Sequence, residues 1–125
     1  MVLLSFNYRL GPFGFLSTDN NEAPGNLAFR DQQLALKWAK KEALNVCADP
    51  QSITLFGSGS GGESTVVQML SPMNKGQKLF HKVISQSGSP ILDPRYQRKN
   101  RKDDAEKLAQ KVGCGKAKVS YNVDS

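Results

Sequence analysis

Histidine, cysteine and tryptophan are nearly missing from this 125-residue sequence, which holds one histidine, two cysteines and one tryptophan. With His81 as the only imidazole, and Cys47 and Cys114 as the only thiols, neither a disulfide framework nor a four-ligand metal site can be assembled. No metal or cofactor is therefore expected. Long hydrophobic runs are lacking as well. The apolar opening at residues 2–6 is too short for a secretory signal and has no basic residues before it, and no stretch approaches the roughly 20 apolar residues of a membrane span. Direct membrane insertion by this segment is excluded on that ground. No Asn-x-Ser/Thr acceptor for glycosylation occurs either.

Acidic charge is in deficit, with 17 basic against 11 acidic side chains and a net charge of +6. Much of the excess lies between Arg95 and Lys118, including Arg98, Lys99, Arg101 and Lys102. A basic block can mark a nucleic-acid surface. Here Ala105, Leu108, Ala109 and Val112 recur at helical spacing, Asp103, Asp104 and Glu106 sit among the cations, and Tyr96 is the only aromatic residue before Tyr121. A solvated helix accounts for that pattern, and nucleic acid is not expected as a partner.

Glycine, by contrast, is abundant and concentrated. Residues 49–62 read DPQSITLFGSGSGG. Ile53, Thr54, Leu55 and Phe56 form a β-branched and aromatic run that predicts a buried strand entered through Asp49-Pro50, and the segment ESTVVQML after Gly62 has helical character. A strand that feeds a helix through glycines is the setting of the P-loop, the dinucleotide fingerprint and the hydrolase nucleophile elbow. No lysine follows Gly61 or Gly62, so a P-loop is excluded. Gly57, Gly59 and Gly62 match the dinucleotide spacing, but residues 78–89 contain no acid to hold a ribose.

The flanks favour the elbow. DPQSITLFG followed by Gly-Gly, then LSP and LFHKVISQSGSP, resembles the type-B carboxylesterase and cholinesterase family, with its DPxSVTLFGESAGG, LSP and LFHxAIxQSG. SFNYRLGPFGFLST, APGN and DQQLALKWAKK resemble the same family in the same order, so that the likeness covers about residues 2–114. It implies an α/β fold, as a fragment of an α/β-hydrolase with a parallel central sheet and helices on both faces. It also implies that residues 1–125 are an internal piece of a single domain, around the elbow, with an oxyanion loop upstream and the acid and histidine of a triad downstream.

At the elbow the sequence departs from the family. GESAGG falls on Gly57, Ser58, Gly59, Ser60, Gly61 and Gly62, so the nucleophile position is Gly59, and Ser58 stands where a glutamate precedes the nucleophile. Acyl transfer needs a hydroxyl at that apex, activated by a histidine. Glycine supplies none. The backbone N–H of Ser60 would be the oxyanion-hole donor after the nucleophile. Ser60 is the candidate for a displaced nucleophile, although one step into a helix turns its side chain by about 100° from the apex, toward the packing. His81 precedes any acid and is read as a surface or helix-end residue, because the hydrolase fold places its catalytic histidine last. Ser87 matches a serine that lies near the triad acid in catalytic relatives.

The elbow is closest to those of non-catalytic cholinesterase-like adhesion proteins, such as neuroligin, glutactin, neurotactin and gliotactin. The resemblance therefore implies a non-catalytic domain that is extracellular, secreted or membrane-tethered, with a protein partner on the cell surface or in the matrix, or a small ester ligand. The alternative is an active carboxylesterase with a Ser-His-Glu mechanism. By the same likeness Cys114 is the first member of a disulfide pair whose second member is not in this sequence, and Cys47 is a buried thiol in place of a glycine.

Along the chain, residues 2–7 predict a strand buried on both faces and residues 9–21 a loop. Residues 27–44 predict a helix with Leu34 and Trp38 on its buried stripe, and residues 83–86 a third strand. The loop at residues 73–78 is two residues longer than in the family.

Overall fold

The computed structural model describes residues 1–90 and 101–114. Two parallel strands, β1 (Thr54–Ser58) and β2 (Lys82–Gln86), pair in register from Thr54 opposite Lys82 to Ser58 opposite Gln86. Helix α1 (Gly11–Phe15) and helix α2 (Leu27–Glu42) precede β1, α3 (Ser60–Leu70) connects β1 to β2, and α4 (Arg101–Lys111) follows. A parallel pair requires a crossover, and α3 provides it.

Helix α3 packs on one face of the sheet, so side chains alternate along β1 between half-buried Leu55 and exposed Phe56. Phe56 is 56% and Ile84 is 49% exposed on the face that α3 leaves open. The buried strand expected over residues 53–56 is found at Thr54–Ser58, with one of its faces exposed.

Residues 2–7 form no strand among the described residues, and Val2, Leu3, Leu4 and Phe6 are exposed. Strand-like composition is satisfied only by a ladder partner, and none pairs with this segment here. The expected loop after it contains α1, where Pro12 near the helix start supplies a φ suited to the first turn.

Helix α2 buries Ala28, Phe29, Gln32 and Leu36, a stripe at spacings of three and four, with Phe29 edge-on to Phe15 at 5.4 Å. Leu34 and Trp38 are on the opposite side, 68% and 52% exposed, which corrects their assignment to the buried stripe. The reason lies in α3. Gln68, 1% exposed, donates to the Phe29 carbonyl at 2.8 Å and to Gln32 Oε1 at 3.0 Å, and this fixes which face of α2 turns inward. Asn74 donates to both Gln68 oxygens, at 2.7 and 2.8 Å, so the buried amide is fully satisfied.

The longer loop is also held. Gln33 Nε2 donates to the Met73 carbonyl and to Asn74 Oδ1, while Lys40 Nζ donates to the carbonyls of Gln77 and Lys78.

Arg9 closes the N-terminal segment onto α2 through a two-pronged pair, Nε to Asp31 Oδ2 at 2.7 Å and Nη2 to Oδ1 at 2.6 Å. The Arg9 hydrogen bonds hold the Asp31 carboxyl below its usual range. Its native pKa is below its unfolded one, so the stabilisation is present above the ordinary carboxylate range and is lost as pH falls through the lowered value. An NMR titration of the Asp31 side-chain carbonyl is expected to give a midpoint below that of an unpaired aspartate. A midpoint at or above that value would mean that the pair does not persist in solution.

Candidate active-site elbow

The chain reverses from β1 into α3 at one residue. Gly59 has φ 57° and ψ −122°, a combination that residues with a Cβ seldom adopt, and helix α3 starts at Ser60 directly after it. Two backbone hydrogen bonds hold the turn. Gly59 N–H donates to the Gln86 carbonyl at 2.9 Å, and Glu63 N–H donates to the Gly59 carbonyl at 3.0 Å.

The surrounding glycines divide by what a side chain would meet. A Cβ at Gly57 would lie 2.2 Å from the Gly61 carbonyl oxygen, and one at Gly62 would lie 2.8 Å from the Gln86 oxygen and 2.9 Å from Ser85 Oγ. These two permit the close approach of helix and strand. Gly61 does not share that role, since a Cβ there meets nothing within 4 Å. At Gly59 too a Cβ meets nothing within 4 Å. The apex therefore faces open space, where a nucleophile would need to stand, and carries no functional group.

Ser58 ends β1, opposite Gln86, and is exposed. Ser60 is exposed as well. Its side chain leaves the first position of α3 without entering the packing, which corrects the inward orientation expected from its helical step. As the first residue of the helix, Ser60 presents an N–H with no carbonyl earlier in the helix to bond.

Beside the apex, Ser87 follows β2 with φ 51° and is exposed. It sits between two contacts to Gly59, since Gln86 accepts from the Gly59 N–H and a Cβ on Gly88 would lie 2.2 Å from the Gly59 oxygen. Gly88 is the elbow residue that motif reading left without a role. Its only sequence signal is a glycine two residues past a strand end.

His81 stands at the other end of β2. Six residues of extended chain separate it from Ser87, about 20 Å at 3.3 Å per residue. Its backbone N–H donates to the Ile53 carbonyl at 2.8 Å and its Nδ1 accepts from the Ile53 N–H at 3.2 Å, so it ties the strand entrances together. It cannot reach the apex.

Cys47 is exposed, in contrast to the buried thiol expected. It ends the 3₁₀ turn Ala43–Val46 with φ 57°, where its N–H bonds back to the turn and the side chain points away from the packing. Cys114 is exposed and free. Among the described residues no three His, Cys, Asp or Glu side chains come together as a metal site.

Parallel strands joined by a helix, with a sharp left-handed apex between strand and helix, define a piece of an α/β-hydrolase fold around its nucleophile elbow. Residues 1–124 match the profile of the Carboxylesterase family, and the chain belongs to that family. Bile salt-activated lipase of Homo sapiens is 47% identical over 114 residues, which cover 91% of this chain and 15% of that protein. Liver carboxylesterase 1 of Oryctolagus cuniculus is 42% identical over 114 residues, covering 91% and 20%. Acetylcholinesterase 4 of Caenorhabditis briggsae is 38% identical over 127 residues, covering 98% and 20%. The chain spans no more than about a fifth of the length of these curated relatives.

Proposed function

We propose that this chain is the elbow region of a single, larger carboxylesterase type B domain that binds through its surface and does not hydrolyse esters. The observation that carries the reading is Gly59 at the apex. The turn keeps the shape that presents a nucleophile, the space in front of it is open, and the residue there has no hydroxyl. Ser58 in place of the family's glutamate points the same way. The likeness of the elbow to those of cholinesterase-like adhesion proteins supports an extracellular setting with a protein partner on the cell surface or in the matrix. A small ester held without turnover is the other ligand class that such an elbow admits.

The full-length protein, treated with a fluorophosphonate probe and digested for peptide mapping, is expected to carry no label on any serine of residues 1–125. Its turnover of p-nitrophenyl acetate is expected to equal that of a heat-inactivated sample. Exposed Ser60, one residue from the apex, favours the second reading, an active carboxylesterase like those its relatives are named for. Stoichiometric label on Ser60 would establish that reading and overturn the first.

A further inference from the structure

We infer that Ser85 is a positioning residue of the elbow, whose hydroxyl latches the turn after β2 onto the apex at Gly59. Ser85 pairs with Gly57 in the β1–β2 register, and paired residues of neighbouring strands point to the same side of a sheet. A Cβ on Gly57 would run into the Gly61 carbonyl of α3, so this is the side that α3 covers. The Ser85 side chain therefore rises toward the first turn of α3. A Cβ on Gly62 would come within 2.9 Å of its Oγ, and the bare glycine there is what admits the hydroxyl.

From that place Ser85 Oγ donates to the Gly88 carbonyl at 2.5 Å. The bond spans Gln86 and Ser87, the residues that carry the chain past the apex. Two further contacts restrain the same short stretch. The Gln86 carbonyl accepts from Gly59 N–H at 2.9 Å, and Gly88 lies so close that its Cβ would be 2.2 Å from the Gly59 oxygen and 2.6 Å from the Glu63 nitrogen. Between them Ser87 is held at φ 51°, a left-handed conformation that a residue with a Cβ keeps only where its surroundings over-determine it. Of the three contacts, only the Ser85 bond is made by a side chain. It alone can be removed without adding an atom.

Without that bond the Gly88 carbonyl loses its partner and Ser87 is released from its strained conformation. The Gln86 carbonyl, one residue earlier, then turns away from Gly59 N–H, so the Gly59 amide reports the state of the latch. All of these contacts run between the end of β2 and the first turn of α3, inside this piece of the domain. What Ser85 sets is the place of the apex relative to Ser87, and with it the seating of a small ester held there or of a hydroxyl put back at residue 59. The role rests on Gly59 as the apex, the reading proposed above, and is the same in an inert and in a reactive elbow.

The test uses the full-length protein with isotope-labelled glycine, read by amide hydrogen exchange. Ser85→Ala should speed exchange of the Gly59 amide about fivefold, the effect of about one lost hydrogen bond. The Gly14 amide, bonded to the Leu10 carbonyl and remote from the latch, should keep its rate. Ser85→Thr retains the hydroxyl on a residue suited to a strand and should leave both rates as they are. In the Gly59→Ser background, Ser85→Ala should slow fluorophosphonate labelling of residue 59, and Ser85→Thr should restore it. A Gly59→Ser protein that takes no label would count against residue 59 as the lost nucleophile position and not against Ser85, whose role the Gly59 exchange rate decides. Three results would each overturn the inference. The first is a Gly59 rate that Ser85→Ala does not move. The second is an equal rise at Gly14, which would mean a general loss of stability. The third is a Ser85→Thr protein that exchanges as fast as Ser85→Ala, which would make altered packing the cause and not the hydrogen bond.

Discussion

The Gly59→Ser variant of the full-length protein is expected to lose stability and gain reactivity at the same time. A Cβ at position 59 meets no atom within 4 Å, so nothing has to move to admit the side chain. The cost is torsional. At φ 57° and ψ −122° a residue with a Cβ is strained by about 1–3 kcal/mol, and that is the expected drop in unfolding free energy from denaturant titration. The serine hydroxyl would then stand in the open space before the apex. Fluorophosphonate label is expected on residue 59 wherever the rest of the polypeptide supplies an acid and a histidine, because His81 is at the wrong end of β2 to serve. Turnover should stay low, since Ser58 offers no carboxylate beside the apex. A stability change within about 0.5 kcal/mol, the range of uninvolved surface sites, would show that residue 59 is not at a strained apex. Ser60 would then be the residue to replace.

The elbow was legible because its signals are local. A β-branched run, then glycine and serine, then a helical segment marks a strand that turns into a helix, although α3 starts at Ser60, three residues before the helical segment expected from Glu63. The β2 strand and the helical spacing in α4 were legible for the same reason. What the sequence hid is what distant partners decide. Residues 2–7 have the composition of a strand, but a strand exists only through a neighbour's backbone groups. Trp38 and Leu34 read as core because they are large and apolar. Yet α2 turns inward the face that carries Gln32, because the amide of Gln68 meets it from α3, 36 residues away in sequence. No periodicity rule ranks a glutamine above a tryptophan for burial. Exposure of Cys47 escaped for a related reason, since a left-handed turn end decides it and residue type does not.

Gly88 is where the largest loss of stability is expected. Its backbone runs against the elbow so closely that a Cβ would lie 2.2 Å from the Gly59 oxygen, 2.6 Å from the Glu63 nitrogen and 3.0 Å from the Gly62 carbonyl carbon. All three are main-chain atoms, so no rotamer change can relieve the contact. To make room, β2's end would have to leave the apex, which breaks the hydrogen bond from Gly59 N–H to the Gln86 carbonyl, or the first turn of α3 would have to open, which breaks that from Glu63 N–H to the Gly59 carbonyl. Overpacking alone costs about 1–3 kcal/mol, and a lost hydrogen bond adds about 1 kcal/mol. The Gly88→Ala variant should therefore lose about 3 kcal/mol or more, or fail to accumulate as folded protein. Gly57→Ala should behave alike, for its Cβ would lie 2.2 Å from the Gly61 oxygen. Gly61→Ala is the control. It adds the same methyl group into open space, and its unfolding free energy should rise by less than about 1 kcal/mol. Introduced together with Gly59→Ser, Gly88→Ala should also abolish fluorophosphonate labelling at residue 59, while Gly61→Ala should leave it intact. If Gly88→Ala were as benign as Gly61→Ala, the end of β2 would not be seated on the apex, and Ser87 would no longer be held beside it.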